Sequence, residues 1–179
     1  LKGFDGFDIE RAYEAMKVSA LRPDRGQDLR MKYGYIPCDL FNESVAYEME
    51  YAVADWALAQ AALKLGHQED YEYFLERSKS YKKHFDPETG FMRGVTSKGR
   101  FNEPFSPFHS NHRADDYTEG NAWQYTWLVP HDFDGLAECF KEYKHHTHNN
   151  IDRHFSGREA LVQKLDSLFL VSSEVEGEN

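Results

Sequence analysis

The sequence predicts an all-α fold of helical hairpins joined by long ordered loops. Three observations carry that prediction. Apolar residues recur at helical spacing in several segments, cap-type residues stand at the ends of those segments, and no stretch alternates convincingly enough for a strand. The balance of 21 Lys+Arg against 31 Asp+Glu argues against a nucleic-acid or anionic-membrane surface. No run of eighteen apolar residues is present, so nothing reads as a membrane span. Both ends read as cut, at Leu1 and Asn179, as in a piece of a longer protein.

Taken in order, Asp8 is placed to cap a first helix whose apolar face is Ile9, Ala12, Tyr13, Met16 and Ala20, ending before Pro23. Residues 24–43 hold Gly26, Gly34 and Pro37 with little periodicity and read as an extended loop. A second helix starts near Ser44 and runs to Gly66, a suitable left-handed terminator. It is apolar around much of its circumference and should be buried between neighbours. Asp55 within it either hydrogen-bonds inside the bundle or lines a cavity, next to Trp56.

A third helix is expected over residues 70 to about 85, with Tyr71, Phe74, Leu75, Ser78 and Tyr81 on one face. The run Asp-Pro-Glu-Thr-Gly at 86–90 is a turn. Residues 91–116 carry Gly94, Gly99, Pro104 and Pro107 and read as a long ordered loop, a length that usually signals function or mobility. Asn121 and Gln124 form a capping-box pattern for a short helix that Pro130 ends. Another helix is expected near Asp134. The last begins at Ser156, with Glu159 completing a capping box and Leu161, Leu165, Leu168 and Phe169 on its apolar face.

The stretch "YTEGNAWQYTW", residues 117–127, concentrates the unusual chemistry. Glycoside cleavage needs a carboxylic acid whose surroundings hold its pKa near the working pH. Tyr117, Trp123, Tyr125 and Trp127 could desolvate Glu119, and Gly120 would let a ligand approach the backbone. A helix starting at Asn121 works the other way, since its positive end favours the ionised form. From these residues alone Glu119 is either an acid in a sugar site or a capping or paired carboxylate. Other candidates read as weaker. Asp115 and Asp116 are either a functional carboxylate pair or a solvated doublet. His109 and His112 have ligand-like spacing but no matching carboxylate in sequence. The run His145, His146, His148 and His154 lies in a polar, irregular stretch that reads as a surface segment. Cys38 and Cys139 lack metal-ligand spacing and read as free buried thiols, with one bridge the other arrangement open to them.

"YTEGNAWQYTWLVPHD", "ESVAYEMEYAVADWALAQAA", "YKKHFDPETGFMRG" and "LDSLFLVSSEVEGEN" together resemble family 92 of the glycoside hydrolases, calcium-dependent exo-acting α-mannosidases. The likeness covers most of residues 3–140 and 157–179. It implies that the whole chain, 1–179, is a fragment of an (α/α)6 toroid, the catalytic domain, without the preceding β-sandwich and the rest of the ring. It implies inversion, with Glu119 as general acid and Asn121, Trp123, Gln124 and Tyr125 as substrate-binding residues that shape the pocket. Arg93 and Phe105 become rim candidates. The family's Asp-Asp-Gly base and its Gly-Asn-Glu-Pro segment have no counterpart here, and residues 141–155 resemble an insertion. The resemblance further implies Ca2+ with ligands largely outside this chain, α-mannoside glycans as substrate, and a secreted or periplasmic setting. Part of a ring should expose helix faces that can self-associate. A rival reading is a non-catalytic helical scaffold or carbohydrate-binding module derived from such a toroid. A scaffold should spread its self-similarity evenly, whereas the unusual residues here concentrate in 117–132.

Overall fold

The chain is described by a computed structural model that covers residues 3, 6–143 and 156–171. The histidine run at 145–154 and the end of the last quoted segment, from residue 172, lie outside the described residues. The fold is mostly helical, 53% helix against 5% strand, in keeping with the all-α class. Helix α1 spans Ile9–Ala20, α2 Gln27–Tyr33, α3 Ser44–Leu65, α4 Gln68–Arg77, α5 Ala122–Tyr125, α6 Phe133–Cys139 and α7 Gly157–Leu168.

Local signals place most helix ends. The Asp8 carboxylate accepts the Arg11 N–H at 3.0 Å at the start of α1. Gly66, with φ 84°, ends α3, and Ser156 and Glu159 form a reciprocal capping box on α7. Four expectations change. The loop expected over 24–43 contains α2, a helix flanked by left-handed Gly26 and Gly34 and docked through a buried arginine rather than an apolar stripe. The third helix stops at Arg77, and a 3-10 turn, Ser80–His84, carries the chain onward. The Asp86–Gly90 turn joins two short antiparallel strands, β1 (Phe85–Asp86) and β2 (Phe91–Met92), too short for any alternation to betray them. Finally, Ile9 and Met16 on the expected face of α1 are about half exposed, and Tyr13 alone is buried on that helix. Polar anchors dock α1 instead, the Tyr13 hydroxyl and Lys17 both reaching Asp70 at 2.6 Å.

Helix α3 is the axis. Val45, Met49 and Ala52 face one core, with Tyr81, Phe91, Tyr117, Leu136, Phe140 and Leu161. Leu58, Ala59 and Ala62 face a second, with Tyr13 and Phe74. Between the two cores lies a buried ionic network. The Arg30 guanidinium, from α2, donates to Glu48 at 2.6 Å and to Asp55 at 2.5 Å, both on α3. Its remaining N–H groups reach Ser80 Oγ at 2.8 Å and the Arg77 carbonyl at 3.1 Å. Arg77, ending α4, grips Asp55 with two bonds of 2.7 and 2.6 Å and donates to the Ala20 carbonyl at the end of α1. Asp55 therefore takes the hydrogen-bonding role of the two open to it. Burial alone would raise the Glu48 carboxyl, but Arg30, His84 and Ser80 outweigh it and hold the group below the usual carboxylate range.

Helix α7 closes the first core with a second buried cation. Lys164 donates to the Thr89 carbonyl at 3.0 Å and lies 3.6 Å from the Phe91 ring centre and 4.7 Å from that of Trp123. Burial lowers its amine to about 8.

Removing one partner of a buried charge network leaves the others desolvated and unpaired. Arg30→Met should therefore lower stability by about 3–5 kcal/mol in urea unfolding. Arg158→Ala, which breaks an exposed pair with Asp134, should leave the midpoint unchanged. For Lys164 the folded amine titrates below its unfolded value, so the folded state binds fewer protons above about pH 8. Between about pH 8 and about 10.4 this amine adds stability, while Cys38 and Cys139, held protonated by burial, take stability away as the unfolded thiols ionise at about 8.5. The wild type should therefore gain on Lys164→Met as pH rises through that window, as read by the difference between their melting temperatures.

Candidate active site

The segment leading to Glu119 is built onto the start of α3. The Asp115 carbonyl accepts the Glu43 N–H at 2.6 Å, and the Asp116 carbonyl accepts those of Val45 and Ala46 at 3.0 and 3.2 Å. These bonds satisfy donors that a helix start otherwise leaves open. The doublet is not solvated, because its side chains are engaged as well. Asp116 is buried and accepts from Ser44 Oγ and Asn102 Nδ2. Asp115 accepts the Tyr117 and Asn111 N–H groups, and burial pushes its carboxyl up. Tyr117 then turns inward and donates its hydroxyl to the Met92 carbonyl at 2.7 Å.

Glu119 follows with φ 49°, a left-handed backbone that a non-glycine residue adopts only when its surroundings impose it. Helix α5 imposes it from both sides. The Tyr125 hydroxyl donates to the Thr118 carbonyl at 2.7 Å, just before Glu119. Gln124 Oε1 accepts the Asn121 N–H at 2.9 Å, just after it, and Asn121 Oδ1 accepts the Trp123 N–H at 3.1 Å, the capping box read from the sequence. Gly120 lies under this clasp, where a Cβ would meet Gln124 Oε1 at 2.7 Å and the Tyr125 ring at 3.1 Å. The Glu119 side chain is exposed.

The rings expected to desolvate Glu119 face elsewhere. Trp123 packs edge-on against Phe91 at 4.7 Å and Trp127 stacks on Phe140 at 6.2 Å, both against the first core, and Tyr117 and Tyr125 are spent on carbonyls. Thus Asn121, Gln124 and Tyr125 converge on the backbone around Glu119, while Trp123 secures α5 to β2. The rim candidates also turn inward. Arg93 is buried and bonded to Asp86, the Asn102 carbonyl and Glu103, with the Phe105 ring 4.2 Å from its guanidinium carbon.

The histidines at 109 and 112 do not converge on one ion: His109 faces Asp115 at 4.0 Å and His112 faces Glu43 at 3.9 Å. Among the described residues no group of three or more His, Cys, Asp or Glu is placed to hold a metal. The carboxylates nearest Glu119 in sequence are already held by N–H and O–H donors. These residues do not form a calcium cage. Cys38 and Cys139 are free thiols that burial pushes up to about 12 and about 11, out of the range of a reactive thiolate. Sequence reasoning missed Glu43, left-handed with φ 58° and tied to the Asp115 carbonyl, because its partner lies far along the chain.

The family description "Glycosyl hydrolase family 92 catalytic domain" matches residues 1–178. No match is found among curated proteins. Among solved structures, the chain is similar to a family 92 α-mannosidase of Bacteroides thetaiotaomicron at 41% identity over 94% of its length, with a TM-score of 0.77. It is similar to the same enzyme in complex with mannoimidazole at 40% identity over 95% of its length, with a TM-score of 0.80. It is also similar to an inverting family 92 mannosidase of Bacteroides thetaiotaomicron VPI-5482 at 30% identity over 93% of its length, with a TM-score of 0.77. In each case the match spans about a fifth of the other chain, 20% in the first and 21% in the other two.

The clasp makes a prediction about coupling. Tyr125→Phe should cost about 1 kcal/mol through the lost bond to Thr118. Gly120→Ala should destabilise by crowding Gln124, and adding Gln124→Ala should cost less than the two single effects combined. Urea unfolding of the single and double variants measures both.

Proposed function

This chain belongs to glycosyl hydrolase family 92, and on that premise we propose that Glu119 is the general acid of an inverting, exo-acting α-mannosidase. The observation that carries the proposal is the clasp: an exposed carboxylate on a left-handed non-glycine backbone, pinned on both sides by the helix that follows. Strain of this kind persists only where surrounding structure over-determines it, and it collects at functional sites. An exposed acid suits proton delivery to a leaving oxygen arriving from solvent. In this proposal Asn121, Gln124 and Tyr125 set the height and angle of Glu119, and Trp123 holds the helix that carries them against β2.

In an inverting mechanism a second carboxylate activates water roughly 6.5–9.5 Å from the acid. Asp115, Asp116 and Asp132 are engaged in structural bonds, Asp132 as the cap of α6 and the partner of Tyr81. We therefore assign the base to a part of the protein beyond these 179 residues, together with the rest of the toroid and the β-sandwich. Calcium dependence accords with the family, and its ligands are assigned to the same missing parts. An α-mannoside glycan as substrate and a secreted or periplasmic setting belong to the same proposal.

Three outcomes are expected. This chain alone should release no mannose from an α-mannobiose with calcium present; robust release would return the base role to its own aspartates. In the complete gene product, Glu119→Gln should lower turnover of the same disaccharide by about two to four orders of magnitude with binding largely retained. Its pH–rate profile should also lose the alkaline limb, and an unchanged limb would remove Glu119 from the acid role.

A further inference from the structure

Both flanks of Glu119 rest on one residue of β2. Met92 faces Phe85 across the hairpin, while its own backbone bonds to the segment that carries the acid. Its carbonyl accepts the Tyr117 hydroxyl at 2.7 Å, and its N–H donates to Thr126 Oγ1 at 3.1 Å. Thr126 also donates to the Ala122 carbonyl at 2.7 Å, which locks it to α5. Beside it the Phe91 ring meets Trp123 edge-on at 4.7 Å. Whatever fixes the β1–β2 hairpin therefore fixes α5, and α5 holds the peptides on either side of Glu119.

Lys164 fixes the hairpin from outside. It reaches in from α7 and donates to the Thr89 carbonyl in the turn at 3.0 Å. The same ammonium lies 3.6 Å from the centre of the Phe91 ring, 4.7 Å from that of Trp123 and 5.3 Å from that of Tyr143. At such distances a ring face attracts a cation, and more strongly where water is excluded. One buried charge thus joins α7, the turn, β2 and α5. Merely seating α7 needs no charge, since its Ala160 and Leu161 already enter the first core. An apolar side chain at 164 would be less costly to bury than an amine. A cation does what an apolar side chain cannot, bonding a carbonyl and drawing ring faces together at once.

We propose that Lys164 is a positioning residue for Glu119. Through the Thr89 carbonyl and the Phe91 and Trp123 rings it sets the height of α5, and with it the reach of the acid toward the leaving oxygen. The inference rests on the reading of Glu119 as the general acid. A displacement of about 1 Å in a group that must meet a reacting atom costs roughly a hundredfold in rate. Loss of Lys164 should therefore be felt where a proton has to be delivered.

The test uses the complete gene product, below the pH at which the amine loses its proton and below each variant's melting temperature. Lys164→Met fills similar space without the charge. Its kcat on an α-mannobiose should fall by about ten- to a hundredfold. A dinitrophenyl α-mannoside, whose leaving group departs unprotonated, should be turned over within about twofold of wild type, which also shows that the variant is folded. Lys164→Arg keeps a cation and its N–H donors and should restore most of the disaccharide rate. Trp123→Phe leaves the lysine in place but shrinks the ring beneath it, and should show the same selective loss to a smaller degree; it carries the test if Lys164→Met does not fold. Equal losses on the two substrates, or an undiminished disaccharide rate, would overturn the inference. Glu119→Gln measured alongside separates the two claims. If it loses both substrates equally, the reading of the acid has failed and this inference with it; if it is selective and Lys164→Met is not, only the role of Lys164 has failed.

Discussion

The guanidinium of Arg30, sealed between two apolar cores, is the constraint on which the rest of the architecture depends. Its N–H groups reach α3 twice, the 3-10 turn once and the end of α4 once. Arg77 extends the same network to the last carbonyl of α1. Burying four charges is expensive, and their mutual attraction offsets the cost only when the geometry is good and every partner is present. An apolar interface tolerates sliding, because one methyl group replaces another at little cost. This network does not, since a shift of α3 by one turn would strand Glu48 or Asp55 without a donor. Burial thus turns ordinary charges into a register lock for α3.

The lock matters because the first turn of α3 supports the segment that leads to Glu119. Its opening N–H groups are capped by the Asp115 and Asp116 carbonyls, which anchor the approach to Glu119. From there α5 takes over, one hydroxyl and one amide oxygen holding the peptides on either side of the acid. Precision passes from a buried ionic network, through a helix start, to a left-handed residue on the surface. No step in this relay uses the acid's own side chain, which stays available for chemistry.

What was legible in the sequence is what short-range physics decides. The Asp8 cap, the Asn121–Gln124 and Ser156–Glu159 boxes, the Gly66 terminator and the 86–90 turn are each settled within a few residues. Helix α2 was illegible because its buried anchor is an arginine, and hydropathy counts an arginine as surface. Lys164 and Arg93 hid for the same reason, each buried by partners remote in the chain. The aromatic cluster around Glu119 was visible as a cluster but not by direction. Composition suggests rings around an acid, and only the tertiary contacts with Phe91 and Phe140 turn Trp123 and Trp127 toward the core. The left-handed Glu119 and Glu43 carry no local signal, since neither is a residue type that favours that region.

The claim at the centre is that this relay exists to present a proton donor. The most direct measurement is the leaving-group dependence of the Glu119→Gln form of the complete gene product. A dinitrophenyl α-mannoside, whose leaving group needs no proton, is compared with an α-mannobiose, whose leaving group does. A general acid predicts a rate near wild type on the activated substrate and a loss of about two to four orders of magnitude on the disaccharide. Equal losses on both substrates would mean that Glu119 supports the structure or binds the sugar without donating the proton, and would contradict the account.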